Sequence, residues 1–400
     1  MRVAILGARG IPARYGGFET FAEQLAVRLV ERGHKVTVFC EAEEGAGPEY
    51  RGVTLRHVTP HNVGPLRTVL HDAACLWHAR SGFDVVYMLG YGSSAFCWLP
   101  RLWGGQVWIN MDGLEWARAK WNWVARLYFR WAERIAMWTP SRIVADAAAI
   151  KENLASRHRR MPPCDVIPYG CEFLGDACER ELASFELAPG SYYLVVCRFE
   201  PENHVKEIIK GFLESQCQKR LVLIGDHQGK SEYMKSLRSL ECERVLFAGP
   251  VYEPKKIQAL RFFCSGYLHG HSVGGTNPSL LEAMGCGNLV IAHDNIFNRE
   301  VLGATGLFFA DRGGIAAAID LAEIGGVDVA RMRAAVVERV KKYYMWDRIV
   351  DHYCKLLSLM SLKTEGRCEV VQCAPSLSGS GIATRTVIAD RVLARAKRAG

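Results

Sequence analysis

The sequence lacks any run of eighteen uncharged apolar residues, so no segment has the length and hydropathy of a membrane-spanning helix. Its amino terminus also lacks the long apolar region and small-residue cleavage site of a secretory signal peptide, so no export is expected. The fourteen cysteines include no C-x-x-C pair, and their scatter predicts reduced thiols in a cytosolic protein. Any membrane contact is therefore expected to be peripheral.

The bulk composition is that of a globular protein, because 49% of the residues are hydrophobic and 23% are charged. A length of 400 residues exceeds what one hydrophobic core usually serves, which favours two domains. The formal net charge of +8 suits phosphates, nucleic acid or anionic lipid without choosing among them. Nucleic acid is disfavoured, because no recognisable module occurs and the basic residues are not concentrated in one half.

Short apolar runs alternate with amphipathic stretches, which is the rhythm of parallel strands joined by helices. This rhythm restarts at Tyr192, after a segment that reads as a linker. We therefore predict an α/β protein with two doubly wound, Rossmann-like domains in tandem. The predicted boundaries are 1–185 for the first domain, 186–345 for the second, 346–362 for a closing helix that could cross back to the first domain, and 363–400 for an appendage.

The most informative stretch is residues 274–287, where a glycine-rich loop opens a helix. Backbone amides at a helix amino terminus bind anions, so the amides of Gly275 and Thr276 are expected to face a diphosphate. Glu282 lies about one turn into the helix, where its carboxylate can accept hydrogen bonds from ribose hydroxyls. The alternative interpretation is an ordinary helix start with a solvated glutamate.

A second glycine-rich segment follows the first predicted strand. Gly16 and Gly17 directly precede a helix and allow the backbone to approach a ligand closely, although a tight turn explains them equally well. Residues 7–12 do not complete a G-x-G-x-x-G fingerprint, since Arg9 occupies the second glycine position. Glu41 can still supply the acid that such a site needs, so a nicotinamide-dependent oxidoreductase stays an alternative.

Four motifs follow one another along the chain. They are GARGIP at 7–12 with YGGFET at 15–20, DGLEW at 112–116 with Lys120 and Trp121, RFEPEN at 198–203, and residues 274–282 with 295–300. These motifs resemble those of the family 4 retaining glycosyltransferases, which have the two-domain GT-B fold with a cleft between the domains. Within this family the chain is similar to bacterial rhamnosyltransferases of capsule or cell-wall polysaccharide, with a DUF1972-type amino-terminal domain. The resemblance covers approximately residues 1–360.

The resemblance implies transfer of a sugar, L-rhamnose from dTDP-rhamnose or else a UDP- or GDP-linked sugar, to a lipid-linked saccharide with retention of configuration. The sequence departs from the family pattern at two positions. Gly274 stands where the first of two paired glutamates is usual, and Asn203 stands where a lysine usually meets the diphosphate, for which Lys206 is a nearby substitute. A non-catalytic sugar-nucleotide-binding protein is therefore kept as an alternative.

The predicted donor site combines the glycine-rich stretches with the residues that the family resemblance assigns. The turn at Gly249 is expected near the base, and Arg198 is expected at the diphosphate. His271 is expected to be a polar pocket residue rather than a metal ligand, because no third ligand lies at metal spacing. The full set is Gly16, Gly17, Arg198, Asn203, Lys206, Gly249, Val251, His271, Gly275, Thr276, Asn277, Ser279, Leu280 and Glu282.

Charge on a departing nucleoside diphosphate can be offset by an arginine and helix amides, and no D-x-D motif occurs, so no metal or other cofactor is expected. The resemblance implies that the group nearest the reacting carbon comes from the first domain, for which Asp112 is the candidate. Glu115 lies one turn further and completes a carboxylate pair suited to acid–base chemistry, although Asp112-Gly113 is also a common turn. Asp146 is the reserve candidate, with a helix cap as its alternative role.

Five of the ten tryptophans lie between Trp116 and Trp138, among basic residues and a single acid. Indole rings and arginines four residues apart are typical of a helix on an anionic membrane, although a core helix with solvated arginines gives the same pattern. A lipid-diphosphate acceptor would explain both features, so the protein is expected at the inner face of the cytoplasmic membrane. The predicted acceptor or membrane residues are Trp116, Lys120, Trp121, Arg126 and Arg130.

Overall fold

The first domain is built on an eight-stranded sheet. The computed structural model describes residues 1–13, 16–43, 45–60, 63–111, 113–118, 121–229 and 231–364. The strands have the spatial order β3-β4-β2-β1-β5-β6-β7-β8, and all neighbours are parallel except β3 and β4. Their bounds are β1 Arg2–Leu6, β2 Lys35–Glu41, β3 Glu49–Tyr50, β4 Val53–Val58, β5 Val85–Leu89, β6 Gln106–Met111, β7 Arg142–Ala145 and β8 Cys164–Val166.

Helices cover both faces of this sheet, which explains why its central strands are apolar along their whole length. All five residues of β5 are buried, as expected for a parallel strand packed on both faces. The α-helices of this domain are α1 Gly17–Glu31, α2 Arg67–His78, α3 Trp123–Ala136 and α4 Ala148–Arg157.

The second domain repeats the architecture with six parallel strands in the order β11-β10-β9-β12-β13-β14. The strands are β9 Tyr192–Val196, β10 Arg220–Ile224, β11 Val245–Gly249, β12 Gly266–His269, β13 Val290–His293 and β14 Leu307–Phe309. The helices that follow are α5 Val205–Glu214, α6 Glu232–Arg238, α7 Pro254–Phe263, α8 Pro278–Gly285, α9 Ile296–Leu302, α10 Arg312–Glu323, α11 Val329–Tyr343 and α12 Trp346–Thr364. Two doubly wound parallel sheets confirm the predicted α/β fold class.

The first turns of α12 pack on the first domain. The Tyr353 hydroxyl lies 2.9 Å from the Tyr87 hydroxyl, and the Trp346 ring centroid lies 6.1 Å from that of Phe21. Cys171 follows β8, and its backbone N–H donates a hydrogen bond to the carbonyl of Tyr344, just before α12, at 2.8 Å. The chain therefore passes between the domains twice, and the two passages are hydrogen-bonded to each other.

Two of the sequence expectations concern membrane-spanning helices and the carboxyl-terminal appendage. None of the helices that the structure describes combines the length and apolar character of a transmembrane segment. Of the predicted appendage, 363–400, the first two residues belong to α12, and residues 365–400 lie outside the described residues.

Candidate active site

A cleft of about 1600 Å³ is lined by both domains. Its wall in the first domain includes Gly7 after β1, Gly90 after β5 and Asp146 after β7. Its wall in the second domain includes Arg198 after β9 and His271 after β12. The carboxyl ends of both parallel sheets therefore meet at one opening, which is where ligands bind in doubly wound proteins.

The glycine-rich loop of the second domain lies directly against the first domain. The Thr276 hydroxyl donates to the Asp146 carbonyl oxygen at 2.5 Å. A Cβ atom added at Gly275 would lie 1.9 Å from Asp146 Oδ1, and one added at Gly113 would lie 2.9 Å from the Gly274 Cα atom. Only glycine fits at these contacts, so this loop of the second domain packs directly against the first domain.

Helix α8 begins at the cleft because its first turn is fixed by side-chain hydrogen bonds. Asn277 caps the helix and accepts a hydrogen bond from the Ser279 N–H at 2.9 Å. The Ser279 hydroxyl donates to the Val196 carbonyl at 2.9 Å and lies 2.6 Å from the Tyr267 hydroxyl. The amino terminus of α8 thus lines the cleft beside β9, and its dipole favours a bound anion.

Glu282 reaches the cleft from the same helix and is held by a residue that the sequence did not reveal. Arg261 of α7 places its Nη2 atom 2.5 Å from Glu282 Oε2. Both side chains line the cleft, and Arg261 is only 7% exposed. Sequence reasoning missed Arg261 because its spacing to Glu282 carries no local pattern.

The loop after β9 presents Arg198 to the cleft. The Arg198 side chain is 68% exposed, and its Nη1 atom lies 4.0 Å from Glu200 Oε1. Asn203 is buried and donates from Nδ2 to the Arg198 carbonyl at 2.7 Å, so it fixes the loop instead of supplying a positive charge. Lys206 lies at the start of α5 and is absent from the cleft lining among the residues described.

Glu202 and His271 are buried polar groups of the same wall. Glu202 is 8% exposed, and neither of its carboxylate oxygens has a hydrogen-bond partner in the described part of the chain. Burial raises the pKa of Glu202, Glu200 raises it further, and Arg118 opposes the change. Burial together with nearby Arg198 lowers the pKa of His271 to about 3, so this imidazole is neutral at pH 7.

His271 belongs to a row of aromatic rings behind the glycine-rich loop. Its ring stacks on His269 with centroids 4.4 Å apart, and His269 lies 6.0 Å from Tyr267. Burial lowers the pKa of His269 well below its ordinary value. Uncharged imidazoles in this position can exchange hydrogen bonds with ligand hydroxyls without adding charge.

The first-domain carboxylates predicted for catalysis have three different outcomes. Asp112 lies outside the described residues. Glu115 lines the cleft and is held in place, since its Oε2 lies 2.6 Å from Arg118 Nε and its Oε1 accepts from Trp121 Nε1 at 3.2 Å. Asp146 lines the cleft and is 1% exposed beneath the glycine-rich loop.

A further carboxylate, Asp72 of α2, lines the first-domain side of the cleft and was not predicted. Burial raises the pKa of Asp72 to about 7, although a 2.6 Å hydrogen bond from the Ser93 hydroxyl opposes the shift. Its sequence signal is weak, because a single aspartate in an amphipathic helix looks like a solvated residue.

Several predicted donor residues do not meet the cleft through their side chains. Leu280 is fully buried in the interior, and a Cβ added at Gly249 would face His227 at 3.6 Å. Gly16 and Gly17 do line the cleft, and a Cβ at Gly17 would lie 3.3 Å from Pro278 of the second domain. The described members of the predicted set that line the cleft are Gly16, Gly17, Arg198, Asn203, Val251, His271, Gly275, Thr276, Asn277, Ser279 and Glu282.

The residues predicted for membrane or acceptor contact divide between the cleft and the surface. Trp121 lines the cleft, whereas Arg126 and Arg130 are exposed on α3. Trp116 is half-buried, donates from Nε1 to Glu133 at 2.9 Å and lies 4.9 Å beneath the Arg130 guanidinium. Its ring is thus engaged within the protein instead of extending to solvent. Lys120 lies outside the described residues.

Comparisons with known proteins follow the same division into two domains. The family model described as "Domain of unknown function (DUF1972)" matches residues 1–172, and "Glycosyl transferases group 1" matches residues 190–322. No curated protein matches the sequence significantly.

Solved structures are similar over nearly their full length. Sucrose-phosphate synthase from Thermosynechococcus elongatus is 17% identical with a TM-score of 0.74, over 90% of this chain and 99% of that chain. HepE from Anabaena in complex with UDP-glucose is 17% identical with a TM-score of 0.73, over 90% and 100%. α,α-Trehalose 6-phosphate synthase from Burkholderia multivorans is 13% identical with a TM-score of 0.70, over 93% and 99%. At these identities the similarity establishes the fold.

Proposed function

We propose that this chain, which matches the DUF1972 family over residues 1–172 and the group 1 glycosyltransferases over residues 190–322, transfers L-rhamnose from dTDP-rhamnose to a lipid-linked saccharide. The product would serve cell-surface polysaccharide synthesis. One observation carries the proposal: the glycine-rich loop, the start of α8 and the Arg261–Glu282 pair lie together on one wall of the interdomain cleft.

The donor is a nucleoside diphosphate sugar in this proposal. Arg198 and the amino terminus of α8 offer positive charge to the diphosphate. The Glu282 carboxylate, which Arg261 holds in place, accepts hydrogen bonds from the ribose hydroxyls. The HepE structure with UDP-glucose supports this ligand class, since that protein shares the fold. Rhamnose is supported by the family resemblance and by Gly274, because a 6-deoxy sugar has one hydroxyl fewer to satisfy where a carboxylate is missing.

The residues in the cleft favour departure of the nucleoside diphosphate. Negative charge grows on the leaving group in the transition state, and preorganised donors stabilise it most when they need not move. The capped amino terminus of α8 meets this requirement, the exposed Arg198 adds positive charge, and neutral His271 adds polarity without charge. We keep Asp112 as the proposed group nearest the reacting carbon, and the further candidates Glu115 and Asp146 are carboxylates that line the cleft.

The acceptor is a lipid-linked saccharide at the cytoplasmic face of the membrane in this proposal. Helix α3 supports it because Val124, Ala125 and Tyr128 line the cleft while Arg126 and Trp131 are exposed. One helix therefore connects the reaction cleft to a surface suited to lipid.

A thermal-shift panel tests the donor. We expect dTDP-rhamnose to raise the Tm by about 3 °C or more at one hundred times its Kd, and UDP-glucose, GDP-mannose and NADH to raise it less. Stabilisation by NADH alone would favour an oxidoreductase instead. Transfer is then measured by acceptor-dependent release of dTDP, which a non-catalytic binding protein would not produce, and D112N is expected to abolish release while keeping the shift.

A further inference from the structure

The first domain exposes several large aromatic side chains. All ten tryptophans lie in described residues, and six are between 45% and 76% exposed. Contiguous apolar patches of this kind mark interaction sites on soluble domains. The residues of this surface, called here the tryptophan surface, are Trp77, Trp98, Leu102, Trp103, Trp123, Leu127, Trp131 and Trp138.

The residues of the tryptophan surface come from three segments whose ends are adjacent. Arg80 lies over the rings of Trp77 and Trp103, with its Cζ atom 4.4 and 5.9 Å from the two centroids. Arg101, in the same 3-10 helix as Trp103, donates to the Thr139 carbonyl at 2.8 Å, beside Trp138. The end of α2, the segment 98–103 and the end of α3 are therefore adjacent.

The charge around this surface is basic. From residue 98 to residue 138 the sequence has six Lys or Arg and three Asp or Glu. Two of these acids are neutralised internally, because Glu115 pairs with Arg118 and Glu133 pairs with Arg157 and His158. Arginines spaced four apart are exposed on α3 at positions 126, 130 and 134.

Exposed indoles beside exposed arginines suit one partner in particular. Indole rings favour the boundary between lipid headgroups and acyl chains, and arginines bind lipid phosphates. The combination of a wide apolar area with net positive charge complements an anionic bilayer in both respects.

We propose that the tryptophan surface binds an anionic lipid bilayer and seats the enzyme on it through α2, the segment 98–103 and α3 together. The surface extends beyond the helix that the sequence pattern marks, because Trp77, Trp98 and Trp103 contribute as much exposed indole as α3 does. Since α3 also lines the cleft, a bilayer bound here brings a lipid-linked acceptor to the cleft entrance. This last consequence rests on the proposed function, whereas bilayer binding does not.

Vesicle co-sedimentation of the full chain tests the proposal. We expect binding to vesicles of phosphatidylethanolamine and phosphatidylglycerol at three to one, and at least about ten-fold weaker binding to pure phosphatidylcholine. The double variant W98S/W103S should weaken binding to the anionic vesicles about ten-fold, because two indoles leave the interface. Brominated lipids should quench tryptophan fluorescence of the unmodified protein and quench less in this variant.

The control variant L321S/I324S removes two exposed apolar side chains from the second domain and should bind vesicles as the unmodified protein does. Its binding, and the unchanged Tm shift of W98S/W103S with the nucleotide sugar, separate a surface effect from misfolding. Equal binding by W98S/W103S and the unmodified protein would overturn the proposal. So would absence of vesicle binding together with a dimer that W98S/W103S dissociates, which would assign the surface to a second copy.

The same measurements distinguish this proposal from the proposed function. Vesicle binding without a Tm shift by any nucleotide sugar would support bilayer binding by the tryptophan surface and contradict the proposed function. A Tm shift by the nucleotide sugar without vesicle binding would support the proposed donor and contradict bilayer binding.

Discussion

Arg261 Nη2 lies 2.5 Å from Glu282 Oε2, and this pair ties α7 to α8 at the wall of the cleft. The guanidinium is nearly buried, whereas the Glu282 side chain is 38% exposed, so the arginine fixes a carboxylate that a ligand can still reach. A fixed acceptor loses less conformational entropy when a ribose binds.

R261M should therefore weaken nucleotide binding more than it slows the chemical step. We expect the KM for the sugar nucleotide to rise about ten-fold with a smaller change in kcat, because one oriented acceptor is worth about 1–2 kcal/mol. R261K keeps the charge and should recover part of the loss. R299M removes a surface arginine paired with Asp294 and serves as the control. Equal KM values for R261M and R299M would contradict the role given to Arg261.

The contact between Gly275 and Asp146 predicts a second effect. G275A places a Cβ atom 1.9 Å from Asp146 Oδ1 and must push the loop away from the first domain. We expect transfer to fall at least about 100-fold, since a displacement of about 1 Å at a catalytic site has that effect.

The matched control is G47A, where the added Cβ meets its nearest atom at 3.9 Å. Its steady-state kinetics should equal those of the unmodified enzyme. Normal kinetics in G275A would show that this loop contact is dispensable. The double variant G275A/D146G removes the side chain that the added Cβ atom meets. Recovery of donor binding in this variant would show that the clash with Asp146 causes the loss in G275A.

Glu202 predicts a pH dependence of donor binding. Its carboxylate is buried and lines the cleft, and its raised pKa means that it takes up a proton at a higher pH than an ordinary glutamate. A deprotonated carboxylate accepts hydrogen bonds from sugar hydroxyls, so affinity for the nucleotide sugar should fall as pH drops through this raised value.

Calorimetric Kd values between pH 5 and pH 8 check this expectation. E202Q cannot titrate and should bind the nucleotide sugar with a flatter pH dependence, at weaker affinity. The nucleoside diphosphate without sugar is the control ligand. Its Kd should change with pH to the same extent in E202Q and in the unmodified protein. Identical pH profiles for the nucleotide sugar would exclude Glu202 from the sugar site.

Asp72 predicts a pH dependence of stability. Its pKa is raised from 3.8 to about 7 by burial, so the folded protein holds this proton more tightly than the unfolded chain. Stability from this group is therefore fully present below pH 4 and is lost as pH rises towards 7 and above, by about 2–4 kcal/mol. D72N should remove this loss and gain stability relative to the unmodified protein at pH 8. Chemical denaturation at pH 5 and pH 8 measures the difference, with D347N at an exposed site as the control that should follow the unmodified protein.

Local patterns predict the regular elements well, because burial on both faces leaves continuous apolar runs such as that of β5. The two- and three-residue strands β3 and β8 escape such reasoning, since they are too short to show a period. The glycine-rich loop was placed at the cleft by its chemistry alone. Its partners were not, because the pairing of Arg261 with Glu282 depends on how separate helices pack.

The tryptophan-rich segment shows the same limit. Composition identifies residues 116–138 as unusual but cannot tell which indoles are engaged within the fold. Trp116 turns inward to Glu133, whereas Trp98 and Trp103, outside that segment, are half exposed. Exposure follows from tertiary neighbours, which no spacing along the chain encodes.

The two passages of the chain between the domains have a mechanical consequence. Cys171 and Met345 form a parallel bridge, so the outgoing and returning strands lie side by side and not at opposite ends of the interface. We expect chain segments paired in this way to act as a single hinge, about which the domains rotate while sliding is resisted. Opening of the cleft should then swing Gly275 away from Asp146 along an arc, releasing product without unpacking either sheet.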